Sequence, residues 1–98
     1  MRVVALGKRS FVAGLRLAGI NGVEVASPEE TLDQLNGLLA AKDVGLVLLS
    51  DDVAKPIRTR LTEIRAKRPV PLLYEIPTPG SKAERVEYRD MLKQILGV

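Results

Sequence analysis

The chain of 98 residues contains neither cysteine nor histidine. Their absence removes disulfides, zinc sites of the ordinary type, thiol nucleophiles and imidazole acid-base chemistry, which most enzyme mechanisms rely on. Tryptophan is also missing, and the only aromatic side chains are Phe11, Tyr74 and Tyr88, too few to build a base-stacking platform. No stretch approaches the run of about 18 apolar residues that a membrane span requires, and no basic-then-apolar leader opens the chain. The sequence therefore predicts neither a membrane-spanning nor a secreted protein, so any membrane association would come through partners. The length predicts one domain over residues 1–98, with room for a sheet covered on both faces and little left for a second site.

The chain divides into alternating strand and helix signals with no linker or repeat. An apolar opening over 2–6 closes on Gly7 and leads into a helical pattern over 10–19. A short strand over 23–26 precedes Ser27-Pro28-Glu29-Glu30, in which Ser27 can cap, Pro28 suits the first helical position and Glu30 can complete a capping box. Leu32, Leu35 and Leu39 then recur at helical spacing. The uninterrupted apolar run over 45–49 has the character of a strand buried on both faces of a parallel sheet. Asp51 and Asp52 follow it at a helix start, where the helix dipole favours carboxylates. Pro56 is expected to open the main body of that helix after a short turn over 51–54. A fourth strand over 70–76 is bracketed by Pro69, Pro71 and Pro77, which places it at the sheet border. Ser81 and Glu84 form a second capping box, opening a helix that runs to Leu96 with Tyr88, Met91, Leu92, Ile95 and Leu96 on its apolar face. The predicted fold is α/β: a four-stranded parallel sheet in the order 2-1-3-4 with helices on both faces, similar to flavodoxin and receiver topologies.

Fifteen basic residues against twelve acidic ones give a formal charge of +3, and six of the cations lie between Lys55 and Arg68. On a helix, Arg58 and Arg65 flank one side of the stripe made by Ile57, Leu61 and Ile64, while Arg60 and Lys67 flank the other. Three readings compete: an ordinary solvated face, a surface for an acidic protein, and a nucleic-acid surface. No aromatic residue interleaves with the cluster, which argues against nucleic acid as a partner.

In this topology a ligand crevice opens beyond the carboxyl ends of strands one and three. Here Gly7-Lys8-Arg9-Ser10 and Ser50-Asp51-Asp52 would wall it. Neither G-x-x-x-x-G-K-[ST] nor G-x-G-x-x-G is present for phosphate binding. A receiver domain would need acids just after strand one to hold magnesium, where this chain has Lys8 and Arg9. Asp51 and Asp52 read instead as helix-start residues, with the loops joined by salt bridges. No residue is assigned to catalysis, to a cofactor or to a metal. A receiver-like or small-ligand regulatory domain using this crevice remains the alternative to a non-catalytic interaction module.

Between Arg9 and Glu24 the only charge is Arg16. With about 100° per residue, Phe11, Leu15 and Ala18 fall on one side of the first helix and Ala13, Leu17 and Ile20 roughly opposite. A helix apolar nearly all round is expected to be covered on more than one side. The run Phe11-Val12-Ala13-Gly14-Leu15-Arg16-Leu17-Ala18-Gly19 resembles the F-x-x-G-F-R-L-A-G signature of the F subunit of the archaeal A-type, vacuolar-like rotary ATPases and ATP synthases, with Leu15 in place of the usual aromatic. The strand Gly45-Leu46-Val47-Leu48-Leu49-Ser50, the proline-bounded run from Pro69 to Ser81 and the ending Ile95-Leu96-Gly97-Val98 agree with that family in order and spacing. The resemblance implies a non-catalytic central-stalk component without cofactors, bound to the antiparallel coiled coil of the D subunit and to other subunits of the complex. It would support the coupling of ATP synthesis or hydrolysis to proton or sodium transport on the cytoplasmic side of the cell membrane, peripherally and only through the complex. Within that reading, Phe11, Leu15, Arg16 and Ile20, with Met91, Ile95 and Leu96 of the final helix, are expected to form the partner-binding patch.

Overall fold

Alternate side chains of the central strands point into two separate apolar layers, and the helices of the protein are distributed to cover both. In the computed structural model, which describes residues 1–78 and 93–96, the strands are β1 (Arg2–Gly7), β2 (Asn21–Glu24), β3 (Val44–Ser50) and β4 (Leu72–Ile76). They form one parallel sheet in the order β2-β1-β3-β4, which is the order the sequence predicts. The helices are α1 (Arg9–Leu17), α2 (Pro28–Ala40), α3 (Asp51–Ala54) and α4 (Arg58–Lys67), with a 3-10 turn at Lys55–Ile57 between the last two.

One layer gathers Val4 and Leu6 of β1, Val47 and Leu49 of β3 and Leu73 of β4 under Leu35 of α2, Val53 and Ala54 of α3 and Leu61 and Ile64 of α4. The other gathers Ala5 and Leu48 under Phe11, Val12 and Leu15 of α1, together with Ile20 and Ile76. Leu96, within the helical residues 93–96, packs against this second layer. The alternation along β1 and along β3 from Leu46 to Leu49 is what a parallel sheet covered on both faces demands; a register irregularity at the start of the β1/β3 pair puts Val44 in the first layer.

Local chemistry explains where the elements start. Ser27 Oγ accepts a hydrogen bond from the Glu30 amide at 3.1 Å, and Glu30 Oε2 accepts one from the Ala26 amide at 3.1 Å. The box expected at α2 is thus closed, with its return bond one residue earlier than the standard pattern. The short turn over 51–54 is separate as anticipated, but Pro56 sits in the 3-10 turn that follows it and the body of α4 opens two residues later, at Arg58. β4 pairs only with β3 and lies at the sheet edge. It begins at Leu72, two residues later than the sequence suggests, because Pro71 has no amide to give to a ladder. The second capping box at Ser81 and Glu84 lies outside the described residues.

The largest shift from expectation concerns β2, which begins at Asn21 and ends at Glu24 where 23–26 was anticipated. The cause is the end of α1. The Gly19 amide donates to Arg16 O and the Ile20 amide to Leu15 O, both at 3.0 Å, while Gly19 takes φ +85°. This is a Schellman closure, completed by apolar contact between Ile20 and Leu15 within one layer. It reverses the chain within two residues, so β2 starts at once in register with β1, Val4 against Asn21 and Ala5 against Gly22.

Two measurements check this account. Leu61 is fully buried between α4 and the sheet, so Leu61→Ala is expected to destabilise the protein by about 2 to 5 kcal/mol, read as a lower urea midpoint with an unchanged slope. Gly19→Ala forces a side chain into the left-handed region and is expected to cost about 1 to 2 kcal/mol. Gly37→Ala provides the comparison: it lies inside α2 with nothing near a new Cβ and is expected to be neutral or stabilising.

Candidate functional site

Two places were singled out by the sequence, the crevice at the carboxyl ends of β1 and β3 and the surface of α1. In the crevice, Lys8 Nζ lies 3.5 Å from Asp52 Oδ2, joining the loop after β1 to the start of α3. Asp52 Oδ1 also accepts from the Val53 amide at 3.0 Å, the helix-start role read from its position. Asp51 Oδ1 accepts from the Thr78 amide at 3.1 Å and from the Thr78 hydroxyl. It therefore ties the exit of β4 to the exit of β3. Both carboxylates hold loops together, and among the described residues no group of three or more acidic side chains is arranged to bind a metal ion. Ser50 Oγ is buried beneath them with no hydrogen-bond partner among the described residues. A Cβ on Gly7 would stand 2.8 Å from that oxygen and collide with the Phe11 ring. The hydroxyl is therefore packed against α1 and does not line open space.

The same tight spacing governs α1. Gly7 and Gly22 leave the sheet without side chains where the helix crosses it; a Cβ on Gly22 would meet Val12 at 2.9 Å and Ala5 at 3.1 Å. The helix consequently sinks onto β1 and β2, and the structure places Phe11, Leu15 and Ile20 in the fold's own core, at 7%, 1% and 9% exposure. Ile20, which helical spacing puts opposite Phe11, joins the same layer because α1 has ended and Gly19 has folded the chain back. The sheet covers one side of α1; on the other, Ala13, Gly14 and Arg16 are exposed and Leu17 is 91% exposed, which is the side the sequence expects a neighbouring helix or a second protein to cover. Leu17, which the 100° spacing sets opposite Phe11, is the exposed large apolar side chain of α1 and is not in the patch expected from the sequence.

Arg16 stays at the surface and donates from Nη2 to Gly22 O at 3.2 Å, bracing α1 against β2. Ile95 and Leu96 are half-buried, Leu96 against the layer that holds Phe11. Met91 lies outside the described residues. The structure thus brings Phe11, Leu15, Ile20 and Leu96 together beneath a surface that Arg16 and Leu17 occupy from above.

This parallel α/β fold has known counterparts. The family model for the ATP synthase (F/14-kDa) subunit matches residues 3–95. The chain is 31% identical to the F subunit of the A-type ATP synthase of Methanocella arvoryzae, over all of this chain and 96% of that protein. It is 28% identical to the corresponding F subunit of Methanocaldococcus jannaschii, over all of this chain and 97% of that protein. The crystal structure of the F subunit of the V-type ATP synthase of Archaeoglobus fulgidus superposes with a TM-score of 0.62 at 30% identity, covering 76% of this chain and 95% of that one. With a family match spanning nearly the whole sequence and the fold in agreement, the chain belongs to the family of F subunits of the A-type and V-type ATP synthases.

Proposed function

We propose that this chain is a non-catalytic component of the central stalk of an A-type or V-type ATP synthase, where it binds the antiparallel coiled coil of the D subunit. In that position it would turn with the shaft and support the coupling of ATP synthesis or hydrolysis to ion transport, peripherally and on the cytoplasmic side of the membrane. The observation that carries the reading is the family match over residues 3–95. Three further features support it. No helix among the described residues is long and apolar enough to cross a membrane, consistent with attachment through a partner. The carboxylates of the crevice are occupied in joining loops, as suits a rigid scaffold. The outward side of α1 presents small residues and one fully exposed leucine, a surface against which another helix can approach closely.

The division of labour on α1 follows from burial. Leu17 and Arg16 are the residues free to touch the coiled coil, the first by burying apolar area and the second by meeting a carboxylate of the partner. Phe11, Leu15 and Ile20 act from below, fixing the height and angle at which α1 is presented. Ile95 and Leu96 extend the patch from the helical residues 93–96.

Co-expression with the coiled coil of a D subunit is expected to give a stable heterodimer on size-exclusion chromatography. Leu17→Asp is expected to weaken it by at least tenfold in calorimetric titration while lowering the thermal midpoint of the free chain only slightly, because Leu17 contributes nothing to the core and a carboxylate at the end of α1 opposes the helix dipole only weakly. Arg16→Ala is expected to weaken it by a smaller factor. Failure of the unmodified pair to associate would overturn the stalk assignment; unaltered affinity in Leu17→Asp would remove α1 from the contact.

A further inference from the structure

The basic stretch from Lys55 to Arg68 is not absorbed by the stalk reading, and the structure divides it. On one side of α4, Arg58 Nε lies 3.0 Å and Arg65 Nη2 3.6 Å from the carboxylate of Glu75 on β4. Arg65 also donates twice to Leu73 O, at 3.2 and 2.7 Å. These two cations are engaged in fastening α4 to the edge strand. On the other side, a groove of about 230 Å³ runs between α2 and α4. Its apolar walls are Leu39 and Ile64, Asn36 stands along it, and Arg60, Lys67 and Arg68 rim it.

The rim is held open and charged by specific contacts. Arg68 Nη1 donates to Leu39 O at 2.8 Å, at the end of α2, so its guanidinium is fixed against the groove wall. Arg60 pairs with Glu63 at 3.1 Å one turn along the same helix, both side chains about half exposed. Such an exposed pair is easily exchanged for another partner. Lys67 has no ion-pair partner among the described residues. The rim thus sets three cations against the single carboxylate of Glu63, an excess of two positive charges beside an apolar floor. The volume is below the range typical of a cofactor or drug-sized ligand pocket, but it accommodates one or two inserted side chains. Among the described residues no aromatic side chain stands on the groove to stack a base.

We propose that the α2/α4 groove is a docking site for an acidic amphipathic segment of a partner protein. An apolar side chain of the segment inserts between Leu39 and Ile64, while its carboxylates meet Lys67 and Arg68 and compete with Glu63 for Arg60. The groove lies on the sheet face opposite α1, so this contact and the coiled-coil contact use different sides of the molecule and can be held at once.

A fluorescein-labelled peptide of about 16 residues with leucines at i, i+3, i+4 and i+7 spacing on one helical face and glutamates on the flanks, titrated with the full chain and followed by anisotropy, tests the proposal. Binding is expected, and is expected to weaken as sodium chloride rises from about 50 to about 300 mM. Lys67→Glu is expected to weaken it at least about fivefold, the factor that corresponds to roughly 1 kcal/mol. Lys55→Glu lies outside the groove and is expected to have little effect. Because Arg68 also braces α2, Lys67→Glu is the decisive variant. Equal losses from Lys55→Glu and Lys67→Glu would reduce the effect to bulk charge and overturn the proposal. Equal affinity for a peptide with Gln replacing every Glu would do the same, as would tighter binding of a single-stranded oligonucleotide than of the acidic peptide.

Discussion

Two central strands with apolar side chains on both faces are stable in water only if helices seal both faces, and this requirement shapes the whole protein. β1 and β3 send Val4, Leu6, Val47 and Leu49 to one layer and Ala5 and Leu48 to the other. α2, α3 and α4 take the first layer. α1 takes the second, with Leu96 packed on the same side. The two faces are not sealed in the same way. The first is closed by large aliphatic side chains from three helices. On the second, α1 lies close over β1 and β2 at Gly7 and Gly22, where a Cβ would collide with Phe11, Val12 or their neighbours, and Leu96 packs against the same layer. Close approach lets a helix of nine residues cover the strands beneath it, and it leaves that helix's outer side free.

That asymmetry links packing to function. A protein that docks onto a shaft must present a surface without relying on the docking for its own core. Here Phe11, Leu15 and Ile20 are committed inward and Leu17 outward, so in the proposed docking the contact surface would lie opposite the core on the same helix. The loops at the carboxyl ends of β1 and β3, where many folds of this topology hold a ligand, are instead cross-linked by Lys8 with Asp52 and by Asp51 with Thr78. Topology alone does not fix use across α/β proteins, and here the loop contacts suit the proposed scaffold role.

The cations show a similar division. Residues of one sign clustered in sequence are separated by the geometry of α4 into a pair that meets Glu75 and a set that rims the α2/α4 groove. The net charge of the chain says only that it is basic. The placement says which positive groups are structural and which remain available.

Much of this was readable along the chain. The β3 run, the Ser27 box, Pro56 and the prolines around β4 act through neighbours in sequence, so their effect on strands, helix starts and sheet edge follows from local chemistry alone. The order of the strands followed as well, since short right-handed connections leave few alternatives. The run from Phe11 to Gly19, taken with the β3 run, the proline-bounded stretch from Pro69 and the ending Ile95-Leu96-Gly97-Val98 in that order and spacing, suggested the family. Three things were settled by packing between distant segments. The first is the depth of α1 on the sheet, which depends on Gly7 and Gly22 facing a helix some residues away and turns Phe11 and Leu15 into core. The second is the place of Ile20, which periodicity puts on the far side of a helix that in fact has already ended at a left-handed glycine. The third is the sorting of the basic residues, because Glu75 and Leu39 are distant in sequence from the arginines they engage and only the closed sheet brings them within reach.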